Sequence, residues 1–254
     1  MRRALFALAA SWVFAGLGAG TAAAAEGAAL PHQDWSFDGL FGTYDRGAAQ
    51  RGFQVYREVC AGCHSLNLVH YRNLADLGFS EDEIKAIAAE VEVTDGPDEN
   101  GEMFERPGRA SDPFKAPFPN EQAARAANGG ALPPDLSLIA KARVGGPDYT
   151  YGVLTGYVEP PADVTVAEGM YYNAYFPGHQ IAMPPPLMDD IVSYADGTPA
   201  TVDQMAHDVT TFLNWAAEPE LEVRKRTGVK VMLFLIVLTG LLYATKRKIW
   251  AQVH

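Results

Sequence analysis

Only two cysteines occur in the 254 residues, and they stand three positions apart in the stretch CAGCH, as Cys60 and Cys63 with His64 directly after them. Four chemistries use a Cys-x-x-Cys spacing: a dithiol redox pair, half of a zinc site, a small disulfide loop and covalent attachment of haem. Each requires a different setting in the rest of the chain. The other features of the sequence therefore decide among them.

The first residues read as a secretory signal peptide. Two arginines precede an apolar run over residues 4–17, and the small residues of TAAAAEG follow it. Cleavage after Ala25 satisfies the small-x-small rule, and the run is shorter than the ~20 apolar residues that a permanent membrane span needs. We expect a signal peptide at residues 1–25 and a mature chain in an oxidising compartment outside the cytoplasm.

A second membrane signal lies near the C-terminus. The stretch VKVMLFLIVLTGLLYAT, residues 229–245, is apolar except for Lys230, and the basic triplets RKR and KRK flank it. Such flanks suit lipid headgroups, and Lys230 at the edge can extend toward them. We predict a transmembrane anchor at residues 221–254 with its span at about 229–245. The signal peptide places the preceding domain outside, so His254 should face the cytoplasm.

Between these ends lies one exported domain, residues 26–220, which is long enough to bury a core. The whole chain carries 20 Lys and Arg against 31 Asp and Glu, a net charge of −11, and nine of the basic residues lie in the two terminal segments. The domain is therefore strongly acidic. This excludes nucleic acid as a partner, because phosphate binding needs basic surface, and favours a basic protein partner.

The domain sequence indicates helices joined by long loops. Two residues, Ser80 and Thr201, are followed three positions later by Glu83 and Gln204, which is the pattern of a capping box. Two stretches, 92–120 and 158–186, are rich in proline and glycine, so most of their backbone should wrap a surface rather than form β-ladders. Loops of this length suit a large apolar cofactor. The five predicted helix starts are Asp45, Ser80, Asn120, Asp148 and Thr201.

These features decide among the four chemistries. A zinc site needs four ligands, and the six histidines show no zinc-finger spacing. A thioredoxin-type dithiol expects a βαβ context, and an isolated disulfide across two residues closes too small a loop to add much stability. Haem attachment needs two thiols for the vinyl groups, an adjacent histidine for the iron, and export. The motif therefore predicts one covalent haem c on Cys60 and Cys63, with His64 as an axial ligand.

The second axial ligand decides the chemistry, because an open position binds small molecules and a closed one carries electrons. Met183, in QIAMPPP, precedes three prolines that fix the backbone, and a thioether ligand raises the reduction potential. Met188 and His179 are the alternatives. Met205 falls on the apolar face of a helix and is expected in the core. The residues alone leave the choice between Met183 and its two neighbours open.

Five blocks occur in a fixed order along the chain: CAGCHSL, ANGGALPPDLS, KARVGGPDYTYGVLTGY, YYNAYFPGHQIAMPPPL and DGTPATVDQMAHDVTTFLNWAAEPE. Together with the RKR-bounded tail they resemble the cytochrome c1 family, the haem subunits of the ubiquinol–cytochrome c reductase (cytochrome bc1) complex. The similarity runs from about Trp35 to Trp250, nearly the whole mature chain. The order of the blocks makes the resemblance far more specific than the cysteine motif alone.

The resemblance implies a mostly α-helical c-type cytochrome domain with long loops and one C-terminal transmembrane helix. It implies that Met183 is the sixth iron ligand and that Pro133 and Pro134 pack near the haem. It also implies that Arg143 and Tyr149 reach a haem propionate, and a charge-assisted partner is what a buried carboxylate requires. Some bacterial members carry a further disulfide in the loop before the methionine, and this chain has no cysteine left to form it.

The expected function is one-electron transfer in a respiratory or photosynthetic chain, without enzymatic activity of the chain on its own. By resemblance, a Rieske iron–sulfur protein is the donor, a c-type cytochrome is the acceptor, cytochrome b is the membrane partner, and the complex is dimeric. The haem domain should lie on the periplasmic side of a bacterial inner membrane. Two rival interpretations remain: a haem-based sensor with an open sixth position, and a free-standing anchored cytochrome that feeds an oxidase.

Overall fold

The structure, a computed structural model, describes residues 28–252. The predicted signal peptide at residues 1–25 and His254 lie outside these residues. Within them the chain is mostly helical, as predicted, with two small antiparallel sheets. The α-helices are α1 Arg46–Glu58, α2 Glu81–Ala89, α3 Glu121–Ala127, α4 Ile139–Ala142, α5 Gly146–Thr155, α6 Val202–Ala217 and α7 Leu221–Trp250, and short 3₁₀ helices cover Cys60–Gly62 and Tyr71–Leu77. The strands are β1 Glu92–Asp95, β2 Phe104–Pro107, β3 Tyr171–Tyr172 and β4 Gln180–Ile181.

Three helices begin where their capping residues predict. The Asp45 carboxylate accepts the backbone N–H of Ala48 at 3.1 Å and opens α1. Ser80 and Glu83 form the complete predicted capping box on α2, and Asn120 caps α3. These side chains satisfy N–H groups that have no partner in the first turn of a helix.

The predicted start of α5 at Asp148 is wrong. The helix begins at Gly146, after Gly145 in the left-handed region at φ 90°. The Asp148 carboxylate does not cap the helix, because it accepts hydrogen bonds from the indole N–H of Trp35 at 2.7 Å and the backbone N–H of Gln33 at 3.2 Å. Asp148 therefore ties the start of the described chain to α5.

The capping box predicted for α6 is only half formed. The Thr201 hydroxyl accepts the backbone N–H of Gln204 at 3.1 Å. The Gln204 side chain does not return this bond, because it donates to the buried carboxylate of Asp208 at 3.0 Å. Burying a carboxylate without hydrogen-bond donors is energetically costly. The Gln204 amide therefore donates to Asp208 and is not available to complete the cap.

Helices α1 and α6 cross at close range and form the centre of the core. A Cβ atom at Gly52 would lie 2.0 Å from the Asp208 carbonyl oxygen, so only glycine fits at the crossing. Around it pack the rings of Phe53, Phe212 and Trp215, all buried, with Phe53 and Phe212 ring centroids 5.7 Å apart. The first and last α-helices of the domain, α1 and α6, therefore pack against and stabilise each other.

A buried ion pair joins the same two helices. Arg51 on α1 donates from Nε and Nη2 to the two carboxylate oxygens of Asp208, at 2.8 and 3.1 Å, and from Nη1 to Asp196 at 2.9 Å. Asp208 is fully buried. Removing one partner of such a pair costs about 3–5 kcal/mol, because the other charge is left uncompensated. The pair therefore fixes the register of α1 on α6.

Each proline- and glycine-rich stretch contains a short hairpin that the sequence did not predict. Strands β1 and β2 pair antiparallel from Glu92 opposite Pro107 to Asp95 opposite Phe104, and β3 pairs with β4. The first hairpin is fastened to the domain by Arg106, which forms ion pairs with Asp95 and Asp112. The remaining backbone of both stretches is irregular, as predicted.

Helix α7 extends well beyond the predicted apolar span. It is the one helix among residues 28–252 that is long and apolar enough to cross a membrane, and no residue of its apolar part is fully buried. Its first turns belong to the domain: Leu221 is buried, and the Glu222 carboxylate accepts the backbone N–H of Tyr44 at 2.9 Å and the Arg46 guanidinium at 2.8 Å.

Candidate haem site

The cysteine motif forms one tight turn at the end of α1. The backbone N–H groups of Cys63 and His64 both donate to the Cys60 carbonyl, at 3.1 and 2.9 Å. Cys60 lies half-buried against the core, Cys63 is exposed, and both are free thiols. The turn therefore presents both thiols and the imidazole from a stretch of five residues, the arrangement that attachment of one haem requires.

The Cys60 thiol is held in its protonated form. Burial, with a smaller effect of nearby Cys63, raises the pKa of Cys60 to about 12. A dithiol redox pair needs a thiolate of lowered pKa to act as the nucleophile. The environment of Cys60 has the opposite effect, which favours a structural attachment point over redox chemistry of the thiols themselves.

The His64 ring has one nitrogen in use and one available. Its Nδ1 lies 2.8 Å from the Pro134 carbonyl oxygen, and because a carbonyl only accepts, Nδ1 carries the proton and Nε2 has a free lone pair. Burial lowers the pKa of His64, against the opposing effect of the Pro134 carbonyl, so the ring is neutral. Metal-ligating histidines typically donate the other ring N–H in this way. These residues therefore fit an axial haem ligand.

Asp135, which no sequence motif predicted as a site residue, joins the loop after His64 to the loop after Pro134. The Asp135 carboxylate accepts the Ser65 hydroxyl and the Asn67 backbone N–H, both at 2.8 Å, and the Ser137 backbone N–H at 2.9 Å. The chain after His64 is thereby tied to the chain after Pro134. Asp135 stands in the block PPDLS, where an Asp two residues before a Ser is typical of a side-chain-to-backbone turn.

Met183 lies half-buried in a loop that is restrained on both sides. Ahead of it, Ile181 pairs with Tyr171 in the β3–β4 ladder, and three prolines follow it. The Tyr157 hydroxyl donates to the Met183 carbonyl at 3.0 Å. An open cleft of about 540 Å³ borders the loop and includes Tyr157 and Pro185 in its wall. Restraint of this kind suits a permanent ligand.

The other candidate ligands lie in less suitable places. Met188 is 64% exposed on the surface. His179 stacks on Tyr172 with ring centroids 5.6 Å apart, and its Nδ1 lies 3.2 Å from the Asn173 carbonyl oxygen. Met205 is completely buried in the core, as predicted. These placements favour Met183.

The remaining predicted site residues follow the Pro134 loop. Pro133 is half-buried and Pro134 is exposed, with its carbonyl on His64. Arg143 is exposed beside Tyr149, where partial burial raises the pKa of the phenol and Arg143 has the opposite effect. Arg143 takes part in no ion pair with a carboxylate of residues 28–252. Its guanidinium is therefore available to an anionic group.

Comparison with known proteins supports the same interpretation. The profile of the Cytochrome C1 family matches residues 35–253. Cytochrome c1 of Rhodospirillum rubrum is 54% identical over 263 residues, which cover 97% of each chain. Cytochrome b/c1 of Bradyrhizobium diazoefficiens is 54% identical and covers 88% of this chain and 36% of its own length. The mitochondrial cytochrome c1 haem protein of Saccharomyces cerevisiae is 54% identical and covers 91% of this chain and 75% of its own length.

The match includes the whole candidate site, from the cysteine turn to the Met183 loop. Members of this family carry covalently attached haem c and transfer electrons as subunits of the cytochrome bc1 complex, and Cys60 and Cys63 fit the attachment motif. Profile, full-length identity and motif agree, and the chain belongs to the cytochrome c1 family.

Proposed function

We propose that the protein accepts one electron from a Rieske iron–sulfur protein and passes it to a c-type cytochrome. The covalent haem supplies a one-electron couple. The chain itself performs no bond chemistry on a substrate, so quinol oxidation belongs to other subunits of the complex. The observation that carries the proposal is the 2.8 Å contact between His64 Nδ1 and the Pro134 carbonyl oxygen, which leaves Nε2 free beside the two attachment thiols.

Each residue then has a defined part. Cys60 and Cys63 hold the cofactor through thioether bonds, which fix its position without help from affinity. With haem bound, His64 would hold the iron through Nε2, and the Pro134 carbonyl would keep the ring in its orientation. Met183 would supply a second protein ligand from its proline-stiffened loop and would leave the iron closed to small molecules. The haem would then supply one-electron chemistry only.

Arg143 and Tyr149 are proposed to bind a haem propionate. A guanidinium matches a carboxylate with two parallel N–H donors, and a phenol O–H adds a third. The two side chains lie next to each other, and Arg143 has no carboxylate partner among residues 28–252. Pro133, which precedes the carbonyl that holds His64, is proposed to pack on the haem edge.

The membrane arrangement is part of the proposal. We infer that residues 1–25 are a signal peptide, that residues 26–220 form the haem domain on the periplasmic side of a bacterial inner membrane, and that residues 221–254 anchor it with the C-terminus in the cytoplasm. Cytochrome b is the proposed membrane partner, which the name of the Bradyrhizobium relative, cytochrome b/c1, supports. The complex is proposed to be dimeric. Purification in mild detergent tests the assembly, because cytochrome b and the Rieske protein should copurify.

Replacement of the sixth ligand tests the electron-carrier function. Met183→Leu should keep the haem on Cys60 and Cys63 but lower the reduction potential, abolish the thioether charge-transfer band and admit carbon monoxide. Met188→Leu is the matched control and should change none of these. Retention of the band in the Met183 variant places the ligand elsewhere. Carbon monoxide binding by the unaltered protein indicates a ligand sensor instead of an electron carrier.

A further inference from the structure

A groove lies where the domain meets α7. Its volume is about 290 Å³, and it opens between a loop near the start of the domain and the first turns of the long helix. We call the loop, residues 38–43, the shoulder loop. The groove is lined by Leu40, Phe41, Gly42, Thr43, Glu222, Lys225, Arg226, Val229 and Lys230.

The shoulder loop is fixed against the helix. The Lys225 ammonium donates to the Phe37 carbonyl and to the Gly42 carbonyl, the latter at 3.3 Å. The loop also turns back on itself, because a Cβ atom at Gly42 would lie 1.9 Å from the Asp38 carbonyl oxygen. The groove is therefore a formed site with ordered walls.

The lining of the groove carries more positive than negative charge. The single acidic residue in its lining, Glu222, is occupied by Arg46, at 2.8 and 3.1 Å, and by a backbone N–H. Neither Arg226 nor Lys230 forms an ion pair with any carboxylate in the described part of the chain, and Lys225 contacts only carbonyl oxygens. Lys225, Arg226 and Lys230 thus line a groove whose one lining carboxylate, Glu222, is already paired with Arg46.

Apolar side chains border the same cations. Phe41 is 79% exposed and Leu40 is 62% exposed at the tip of the shoulder loop, and Val229 lies half-buried beside them. Lys225 and Lys230 are separated by about 7.5 Å along the helix axis at ~1.5 Å per residue. The groove therefore lies within two turns of the point where the exposed apolar stretch of α7 begins. This level of the helix corresponds to the boundary between the phosphate groups of a membrane and its acyl chains.

We propose that this groove binds one anionic phospholipid. Its phosphate lies among Lys225, Arg226 and Lys230, and its upper acyl segment lies along Leu40, Phe41 and Val229. Guanidinium and ammonium groups form charge-assisted bonds with phosphate, and exposed aromatic and aliphatic side chains at this depth gain from contact with lipid. The site requires only that α7 lies in a membrane and is independent of the electron donor and acceptor proposed above.

Lipid binding to the haem-loaded full chain in detergent tests the proposal. The probe is phosphatidylglycerol, with phosphatidylcholine as the neutral reference, and native mass spectrometry measures occupancy. The test variant is Arg226→Gln with Lys230→Gln, which spares Lys225 and the shoulder loop. The matched control is Lys246→Gln with Lys248→Gln, which removes the same charge at the other end of the span. Because each basic residue near the phosphate contributes about fivefold, the test variant should lose about 30-fold in affinity for the first bound phosphatidylglycerol. The control leaves the groove intact, so the affinity for that first lipid should change by less than about threefold.

Three results would overturn the proposal. Equal losses in the two double variants would mean a general attraction to charge. Displacement of the lipid by inorganic phosphate at equal concentration would mean a site for the free anion. Release of cytochrome b by Leu40→Ser with Phe41→Ser, without loss of phosphatidylglycerol from the isolated chain, would mean that the shoulder loop is a subunit interface.

Discussion

Replacement of Asp135 by Asn should loosen the support of the axial histidine without touching the histidine itself. The carboxylate joins Ser65, Asn67 and Ser137, and through them it keeps the Pro134 carbonyl against the His64 ring. Asn has the same shape but only one acceptor oxygen. The variant therefore tests whether these hydrogen bonds position His64 or have no effect on the haem site.

The size of the effect follows from the bonds. If the amide oxygen keeps the two donors that Oδ2 accepts, Ser65 and Asn67, the new NH₂ group faces the Ser137 N–H, donor against donor. One bond to a charged acceptor is lost and two lose charge assistance. Such bonds contribute about 1.5–3 kcal/mol each and neutral ones about 1 kcal/mol. Because the site is half-exposed, the lower end applies, and the free energy of unfolding should fall by about 2.5 kcal/mol.

The effect should depend on pH in a defined direction. Partial burial acts to raise the pKa of Asp135, but the hydrogen bonds from Asn67, Ser137 and Ser65 outweigh it and the pKa is lowered. A carboxylate with a lowered folded-state pKa stabilises the fold fully above its unfolded value of ~3.9, and that contribution disappears as pH falls through the folded-state value. The difference between parent and variant should therefore be constant near neutral pH and shrink below about pH 4.

Urea unfolding and redox titration of the haem-loaded protein measure both consequences. A weaker Nδ1–H bond makes the imidazole a poorer donor, so the reduction potential should rise in Asp135→Asn. The control is Asp76→Asn, an exposed carboxylate that accepts no hydrogen bond from the residues described. Unchanged stability together with an unchanged potential would refute the positioning role. A stability loss with an unchanged potential would limit Asp135 to the fold.

Three further outcomes are expected. Arg143→Ala should lower the reduction potential and the thermal stability, because a propionate loses its partner; a variant identical to the parent in both would place Arg143 on the free surface. A fragment that ends after Glu220 should be soluble and haem-loaded but about 3 kcal/mol less stable than one that ends after Thr227, since it lacks buried Leu221 and the Glu222 contacts; equal urea midpoints would contradict this. Replacing three carboxylates of the β1–β2 hairpin by Gln should flatten the salt dependence of electron transfer to a basic cytochrome c if the hairpin steers docking, and overlaying salt profiles would exclude that role. The hairpin residues are Glu99, Glu102 and Glu105.

The sequence predicted the parts of the fold that depend on near neighbours. Asp45, Ser80 and Asn120 cap helices because the N–H groups that they satisfy lie three residues away. The cysteine turn was predicted for the same reason, since five consecutive residues contain all of its chemistry. Where a predicted capping side chain found a partner other than the start of its own helix, the local pattern failed.

Asp148 and Gln204 illustrate that failure. The Asp148 carboxylate accepts a hydrogen bond from Trp35, 113 residues earlier, and does not cap its own helix. The Gln204 amide donates to buried Asp208 and does not complete the capping box. The bridge made by Asp135 was missed because two of its partners, Ser65 and Asn67, lie about 70 residues earlier in the sequence. Met183 was preferred from its prolines and from family resemblance, and its half-buried, hydrogen-bonded position favours it over exposed Met188.

The close crossing of α1 and α6 at Gly52 has a consequence for biogenesis. The two helices are about 150 residues apart in sequence, so α1 cannot be covered until nearly the whole domain has crossed the membrane. Until then the cysteine turn at the end of α1 is open to the attachment machinery, and contacts over so long a separation form slowly. We expect thioether formation to precede closure of the core. A change that accelerated folding, or that made α6 pack on α1 earlier, would then yield an exported protein that is stably folded but lacks haem.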